Sequence, residues 1–171
     1  MIDNLLSYAR LSDVRQAYNF EPVDIGELVE ETLERFHQLL VADFTVDVDI
    51  PPHLPPVRAD RMAATLMLDN IVDNAIKYSE DVRIIEIRAR LLDERAAITI
   101  ADHGIGIRDD ELGRVKDKFF RGRNAKRGGT GLGLAIVQQI VAAHHGHVRI
   151  DSQAGRGTRV EVVLPLAAGD T

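Results

Sequence analysis

The chain has 171 residues, 45% of them hydrophobic and 28% charged, and its 27 acidic against 21 basic side chains give a net charge of −6. That size and balance suit one globular domain with its own core and argue against a generally basic nucleic-acid surface. The absence of cysteine excludes disulfides, thiolate-bound zinc and thiol nucleophiles, and 5% aromatics without Trp is thin for a base-stacking platform.

Residues 1–19 carry Ile2, Leu5, Leu6, Ala9 and Val14 at helical spacing. Their opening, MIDNLLSYAR, lacks the basic start and long apolar run of a signal peptide. After EPVD, Asp24 stands at the N-cap of one helix through Ile25, Leu28, Val29, Thr32, Leu33, Phe36 and Leu40, with Glu27 placed for a capping box. Glu30, Glu31 and Glu34 read as its solvated face. FTVDVDI (44–50) alternates Phe44, Val46, Val48 and Ile50 against polar residues, a half-buried strand, and PPHLPP then breaks the chain. Residues 60–78 read as a long helix. Strands follow at 82–90 and 96–101, with a turn at Asp93–Glu94. The stretch 102–130 is rich in glycine and charge, with a short helix near 109–118, and such a segment inside a compact domain is more often functional than idle. A helix over 133–145 and a closing hairpin of 147–151 with 158–165 complete the pattern. Residues 128–148 lack charge but hold five Gly, two Gln and three His, the wrong composition for a membrane span. The expected class is α+β: a two-layer α/β sandwich, a mixed sheet with helices on one face and a mobile segment between.

Three constellations carry chemistry. On LMLDNIVDNAIKYS, residues Asn70, Asn74, Lys77 and Tyr78 share one helix face, seated by Leu66, Leu68, Ile71, Val72, Ala75 and Ile76. Two amides, an ammonium and a phenol suit a hydrated cation with a phosphate, amide oxygens being hard ligands of the kind Mg²⁺ accepts. A solvated face is the plainer alternative. Next, Asp102 ends a strand in ADHGIGI, with Gly104 and Gly106 free to take φ > 0 and to let backbone approach a flat ligand. Its carboxylate accepts from an exocyclic amine, which adenine offers and guanine does not; a tight turn with an Asp cap is the alternative. Third, Arg121, Arg123, Lys126 and Arg127 precede Gly128, Gly129, Gly131 and Gly133, and glycines opening a helix make an anion site. The same stretch lacks the Lys-Ser/Thr ending of a P-loop and fails the dinucleotide fingerprint.

In this order and spacing, the motifs resemble the catalytic ATP-binding domain of sensor histidine kinases, of the ATPase superfamily shared with gyrase, Hsp90 and MutL (the Bergerat fold). Asn70–Ser79 is similar to the family's N box, Asp102–Ile107 to its first glycine box, Lys118–Arg121 to its F box and Gly129–Leu134 to its second glycine box. SQAGRGTRVEVVLP is similar to its closing hairpin. The resemblance implies Mg²⁺ on Asn74 with Asn70 beside it, Lys77 and Tyr78 at phosphate or ribose, and Asp102 on the adenine amino group. It makes Gly104, Gly106 and Ile107 room for the base. Arg121 and the 123–127 cations would form a lid, with Phe119 and Phe120 as its anchors and Phe120 at the nucleotide. Gly129 and Gly133 would frame Thr130, Gly131 and Leu132, whose amides face phosphate. Asn70 replaces the water-orienting Glu of the hydrolytic relatives, and an amide is no base at neutral pH, which favours transfer over hydrolysis.

The resemblance further implies ATP and Mg²⁺ as cofactors, and as partners a dimerisation and histidine-phosphotransfer domain and a response-regulator receiver domain, with no nucleic acid. It implies a homodimeric parent, a monomeric fragment and a cytoplasmic location. Residues 1–19 read as the end of the dimerisation hairpin plus linker, 20–166 as the catalytic domain and 167–171 as a tail. None of the six histidines is followed by Glu or Asp, so no phospho-accepting box is present and autophosphorylation of this chain alone is not expected. Lys116 stands where the F box has its first Phe, and His103 where an Asn is usual. His144, His145 and His147 are weak metal candidates. The first two sit at a helix C-terminus, where partial negative charge favours imidazolium, and Gly146 is the expected C′ residue.

Overall fold

The computed structural model describes residues 18–115, 117 and 131–167. The expectations for residues 1–17, for the tail after 167, and for Lys116, Lys118, Phe119, Phe120, Arg121, Arg123, Lys126, Arg127, Gly128, Gly129 and Thr130 lie outside them.

Asp24 caps the first helix, α1 (Ile25–Arg35), accepting from the Glu27 N–H at 3.0 Å. The other half of the expected box is not made, since the Glu27 carboxylate turns to Arg61 at 3.5 Å. The single helix expected through Leu40 is two: α1 stops and α2 (His37–Asp43) restarts after Phe36, which has left helical geometry at φ −96° and ψ 6°. Just upstream, the buried Thr32 hydroxyl donates to the Leu28 carbonyl at 3.0 Å and accepts from Arg35 at 2.9 Å, the back-bonding that bends helices. Arg35 also clasps Asp69. Glu31 pairs with Arg61, so the acidic stripe of α1 is partly a strap onto the next long helix rather than purely solvated.

That helix, α3 (Arg61–Tyr78), begins on Asp60, whose Oδ1 accepts from the Ala63 N–H at 2.9 Å, and it buries Ala63, Ala64, Met67, Leu68, Asn70, Ile71, Val72 and Ala75. The remaining elements are β1 (Glu21–Val23), β2 (Thr45–Asp49), β3 (Val57–Ala59), β4 (Ile84–Leu92), β5 (Arg95–Asp102), the short α4 (Asp109–Leu112), α5 (Gly133–Ala143), β6 (His147–Gln153) and β7 (Gly157–Pro165). Strands β2-β4-β5-β7-β6 form one five-stranded sheet, parallel between β2 and β4 and antiparallel elsewhere.

Register decides which face is which. Ile85, Ile87 and Ala89 stand opposite Asp102, Ile100 and Ile98, and Ile98 and Ile100 stand opposite Val162 and Val160. This face carries the core together with Met67, Leu68 and Ile71 of α3 and Ile136 and Ile140 of α5. The alternate residues Glu86, Arg88, Arg90, Thr99, Arg149, Arg159 and Glu161 form the other face, laced by pairs such as Arg90 with Glu161 at 2.8 Å. Helices therefore lie on one face, as expected. Two departures stand out. Strand β2 is an edge strand whose Val48 is exposed, so only Phe44, Val46 and Ile50 of the alternating set touch the core. And β1 and β3, unforeseen between prolines, pair antiparallel as a ribbon that buries Val23, Val57 and Ala59 completely.

Candidate functional site

Asn70 lies on the inner side of α3, 5% exposed, and its Nδ2 donates to the Leu66 carbonyl at 2.7 Å. That bond turns Oδ1 outward to the start of α5: a β-carbon built on Gly133 would lie 3.2 Å from Asn70 Oδ1 and 3.4 Å from Asn74 Nδ2. The N box and the second glycine box thus meet, with only a glycine's bulk between them. α5 opens at Leu132 without a side-chain cap, so its N-terminal end and the two amides occupy the same place. Leu132 itself has no exposed surface, its side chain anchoring the turn in the core, and Gly131 takes φ +70°, which glycine adopts freely. Asn74 and Tyr78 are half-buried. Lys77 is exposed and ion-paired with Asp73 one turn earlier, so its ammonium must leave a carboxylate to reach a phosphate.

Asp102 closes β5 on the helix-facing side. Its Oδ1 accepts from the Gly104 N–H at 2.9 Å and the Thr158 N–H at 3.2 Å, and among the described residues nothing donates to Oδ2. Burial holds the carboxyl above the usual carboxylate range; the two backbone donors and the nearby His103 oppose that shift. A carboxylate fixed through one oxygen and half sunk in the fold leaves the other for a single donor.

The loop glycines are also needed by the fold itself: a β-carbon would sit 2.0 Å from the Tyr78 carbonyl oxygen at Gly104, and 2.0 Å from that of Gln153 at Gly106, where φ is +63° as a glycine permits. Ile105 donates to the Tyr78 carbonyl at 3.0 Å and accepts from Gly155 at 2.7 Å, so the loop is stitched both to the end of α3 and to the β6–β7 turn. Ile107 is half-buried, its N–H on Ser152 Oγ at 2.8 Å. Ser152 in turn donates to the Gly157 carbonyl at 2.8 Å and lies 2.9 Å from Thr158 Oγ1. Ser152 and Thr158 brace Asp102 from behind, a role the sequence reading missed. The signal was the Gly-Thr pair opening β7, whose register sets Thr158 beside the end of β5.

His103 does not stand idle in solvent; its Nε2 meets Glu86 Oε1 at 2.8 Å on the outer face of the sheet. The histidine trio is also reassigned. Among the described residues no cluster of ligating side chains could hold a metal. His144 is buried and neutral rather than a charged helix terminator, as burial pushes its pKa down. The C′ position belongs to His145, at φ +56°, while Gly146 follows it and donates to the Val141 carbonyl at 2.9 Å. Gly146 is required for a different reason, the Val163 carbonyl 2.3 Å from its would-be β-carbon.

The family described as histidine kinase-, DNA gyrase B-, and HSP90-like ATPase matches residues 59–168, which span both α3 and the β6–β7 hairpin. Sensor protein kinase WalK of Staphylococcus aureus is 33% identical over 170 residues, 96% of this chain and 41% of that protein. WalK of the NCTC 8325 / PS 47 strain shows the same identity with 28% of its length covered. The chain therefore spans less than half the length of these relatives. Among solved structures, full-length ShkA in complex with AMPPNP is similar at a TM-score of 0.84 and 27% identity, covering 99% of this chain and 36% of that one. The mycobacterial sensor histidine kinase MprB follows at 0.75 and 33%, covering 86% and 98%. Among the described residues no helix is long and apolar enough to cross a membrane. From the matched residues, the sheet order and the meeting of α3 with α5, the chain belongs to the histidine kinase-, DNA gyrase B- and HSP90-like ATPase family, in the form found in sensor histidine kinases.

Proposed function

We propose that this chain is the ATP-binding catalytic half of a two-component sensor histidine kinase, passing the γ-phosphoryl of Mg-ATP to a histidine on a dimerisation domain outside these 171 residues. The observation that carries the reading is Asp102, pinned through Oδ1 by two backbone N–H groups with Oδ2 left for the adenine amine. The AMPPNP bound by the similar ShkA supports a nucleotide in the same fold. Phosphates would lie where α5 begins against Asn70 and Asn74, a helix N-terminus being a ready anion site.

Mg²⁺ fits the donor set there. Asn74 supplies a hard amide oxygen with Asn70 beside it, and such a site leaves water and phosphate oxygens to complete the coordination. Bound, the ion neutralises phosphate charge; the chain's own contribution is positioning, by Asp102 at the base and by Lys77 once released from Asp73. The Asn70 amide, already committed to the Leu66 carbonyl, offers no general base for water, which favours transfer over an ATPase cycle. A serine kinase of anti-sigma type and a non-catalytic nucleotide-sensing module are the remaining alternatives. The partners in this reading are a histidine-phosphotransfer domain and a response-regulator receiver, the parent a cytoplasmically active homodimer.

Calorimetric titration with ATP and GTP, each with and without Mg²⁺, tests it. Mg-dependent binding of ATP but not GTP is expected. Equal binding of both nucleotides, or of neither, overturns the adenine and metal assignments. Phosphorylation of a supplied dimerisation hairpin on histidine separates the kinase from the sensing module.

A further inference from the structure

The two helices that bring the site together at Asn70, Asn74 and Gly133 also meet at their opposite ends, on His144. This residue ends α5 and is 1% exposed. Its Nδ1 lies 2.7 Å from the Ile140 carbonyl oxygen, and its Nε2 lies 2.9 Å from the Asp60 backbone nitrogen at the start of α3. A carbonyl only accepts and a backbone N–H only donates, so the ring carries its proton on Nδ1 and a lone pair on Nε2. The neutral tautomer is dictated by the two partners.

Asp60 joins a third element to the same point. Its Oδ1 caps α3, and its Oδ2 accepts from the Asn19 N–H at 2.8 Å. The rings of Tyr18 and Phe20 stand edge-on to the imidazole, with centroids 5.2 and 5.0 Å away, and the Arg58 guanidinium covers Phe20 at 4.4 Å. One imidazole therefore touches the end of α5, the start of α3 and the segment through which the chain enters the domain.

We propose that neutral His144 is a positioning residue for the nucleotide site, riveting α5 to α3 and residues 18–20 to both, and that its protonation opens this joint and loosens the site at the far ends of the two helices. The proposal rests on the nucleotide-binding reading above. An imidazolium has no lone pair for the Asp60 N–H and would set two donors against each other. The charged and titratable groups facing the ring are Asp60 and Arg58, from the start of α3 and the strand before it, and His145 on its own helix end, with the Tyr18 ring edge-on beside them. Burial is the strongest influence and disfavours the charge, as do His145 and Arg58, while the Ile140 carbonyl and Asp60 favour it. The joint is thus closed at neutral pH and opens as the pH falls below about 6.5, the ordinary histidine value.

The test follows the His144 ring nitrogens and the Asn19 and Asp60 amides by NMR between pH 7.5 and 5, as approximate limits, with Mg-ATP titrations in parallel on wild type, His144→Gln and Phe20→Ala. Glutamine keeps an uncharged donor and acceptor at the position. The two amides are expected to shift together with the ring's titration, and wild type to lose at least about fivefold more Mg-ATP affinity on acidification than His144→Gln. Titration of the nucleotide phosphates and of Asp102 is common to both proteins and cancels in that comparison. Phe20→Ala uncovers the ring while leaving its hydrogen bonds, so its joint should open at higher pH, and this decides the matter if the Gln variant does not fold. Amides that ignore the ring's titration, parallel affinity losses in the two proteins, or an unshifted Phe20→Ala transition would each overturn the proposal. Absence of Mg-ATP binding by wild type at neutral pH would overturn the nucleotide reading itself, and the amide titration, which needs no nucleotide, tells the two failures apart.

Discussion

Asp102 is a single side chain held in a costly state, for which the proposed adenine contact would be the use. Its carboxyl is raised by burial and kept ionisable by backbone donors from Gly104 and Thr158. Because the folded state binds the proton more tightly than the unfolded chain, ionisation of Asp102 costs stability. The cost is absent below the unfolded value near 3.8 and develops as pH rises through the folded value. Asp102→Asn keeps an acceptor for both N–H groups but sets an NH₂ against the adenine amine. At neutral pH this variant should melt no lower than wild type while binding ATP about 10- to 150-fold more weakly, the worth of one charge-assisted hydrogen bond of about 1.5–3 kcal/mol. Calorimetric binding and thermal melts on the same samples check both halves. Stability and binding falling together would mean that Asp102 is a structural residue.

At the scale of elements, the N-cap of α3 bears more than its own helix. Asp60 caps Ala63 and anchors Asn19 through separate oxygens, and its backbone N–H bonds His144. Asp60→Ala removes the side-chain bonds but leaves the backbone one. The cap alone is worth about 1–2 kcal/mol in urea denaturation, and the Asn19 amide should in addition lose hydrogen-exchange protection. A loss confined to α3, with Asn19 still protected, would show that the entry segment is held by its rings alone. The glycine loop after β5 illustrates the same coupling between elements. Gly104 and Gly106 are glycines because the α3 terminus and the β6–β7 turn press on them, next to the Asp102 carboxylate that accepts from Gly104 and Thr158.

For the molecule as a whole, the core and the candidate site share the helix-bearing side of the sheet, and the other side carries charge. The helix-facing side is apolar around Ile85, Ile87, Ile98 and Ile100, all fully buried, and the other side is charged and solvent-facing. Ile98→Ala should cost about 2–5 kcal/mol by denaturant titration, the usual range for emptying a core site, whereas Arg90→Ala, whose partner Glu161 lies across the open face, should leave the melting temperature nearly unchanged. Comparable losses from the two would show that the charged face contributes to folding stability as strongly as the core.

Local signals were enough for much of this. The period of α3, the Asp24 cap, the Asp93 turn and the order of the boxes are written in neighbouring residues, and they determined the fold class and the family. What depended on distant neighbours was not legible. The β1–β3 ribbon joins two three-residue strands more than thirty positions apart, too short to show a period of their own. The break at Phe36 divides one periodic segment into two helices where Thr32 bonds back to Leu28 and Arg35 reaches Asp69 on another helix. The glycines of the Asp102 loop are explained by backbones from elsewhere in the fold, and the neutral state of His144 by burial together with an amide 84 residues away. Periodicity and capping are set by residues a turn apart, whereas close approach, burial and protonation are set by whatever the tertiary structure brings alongside, and only the folded chain decides those.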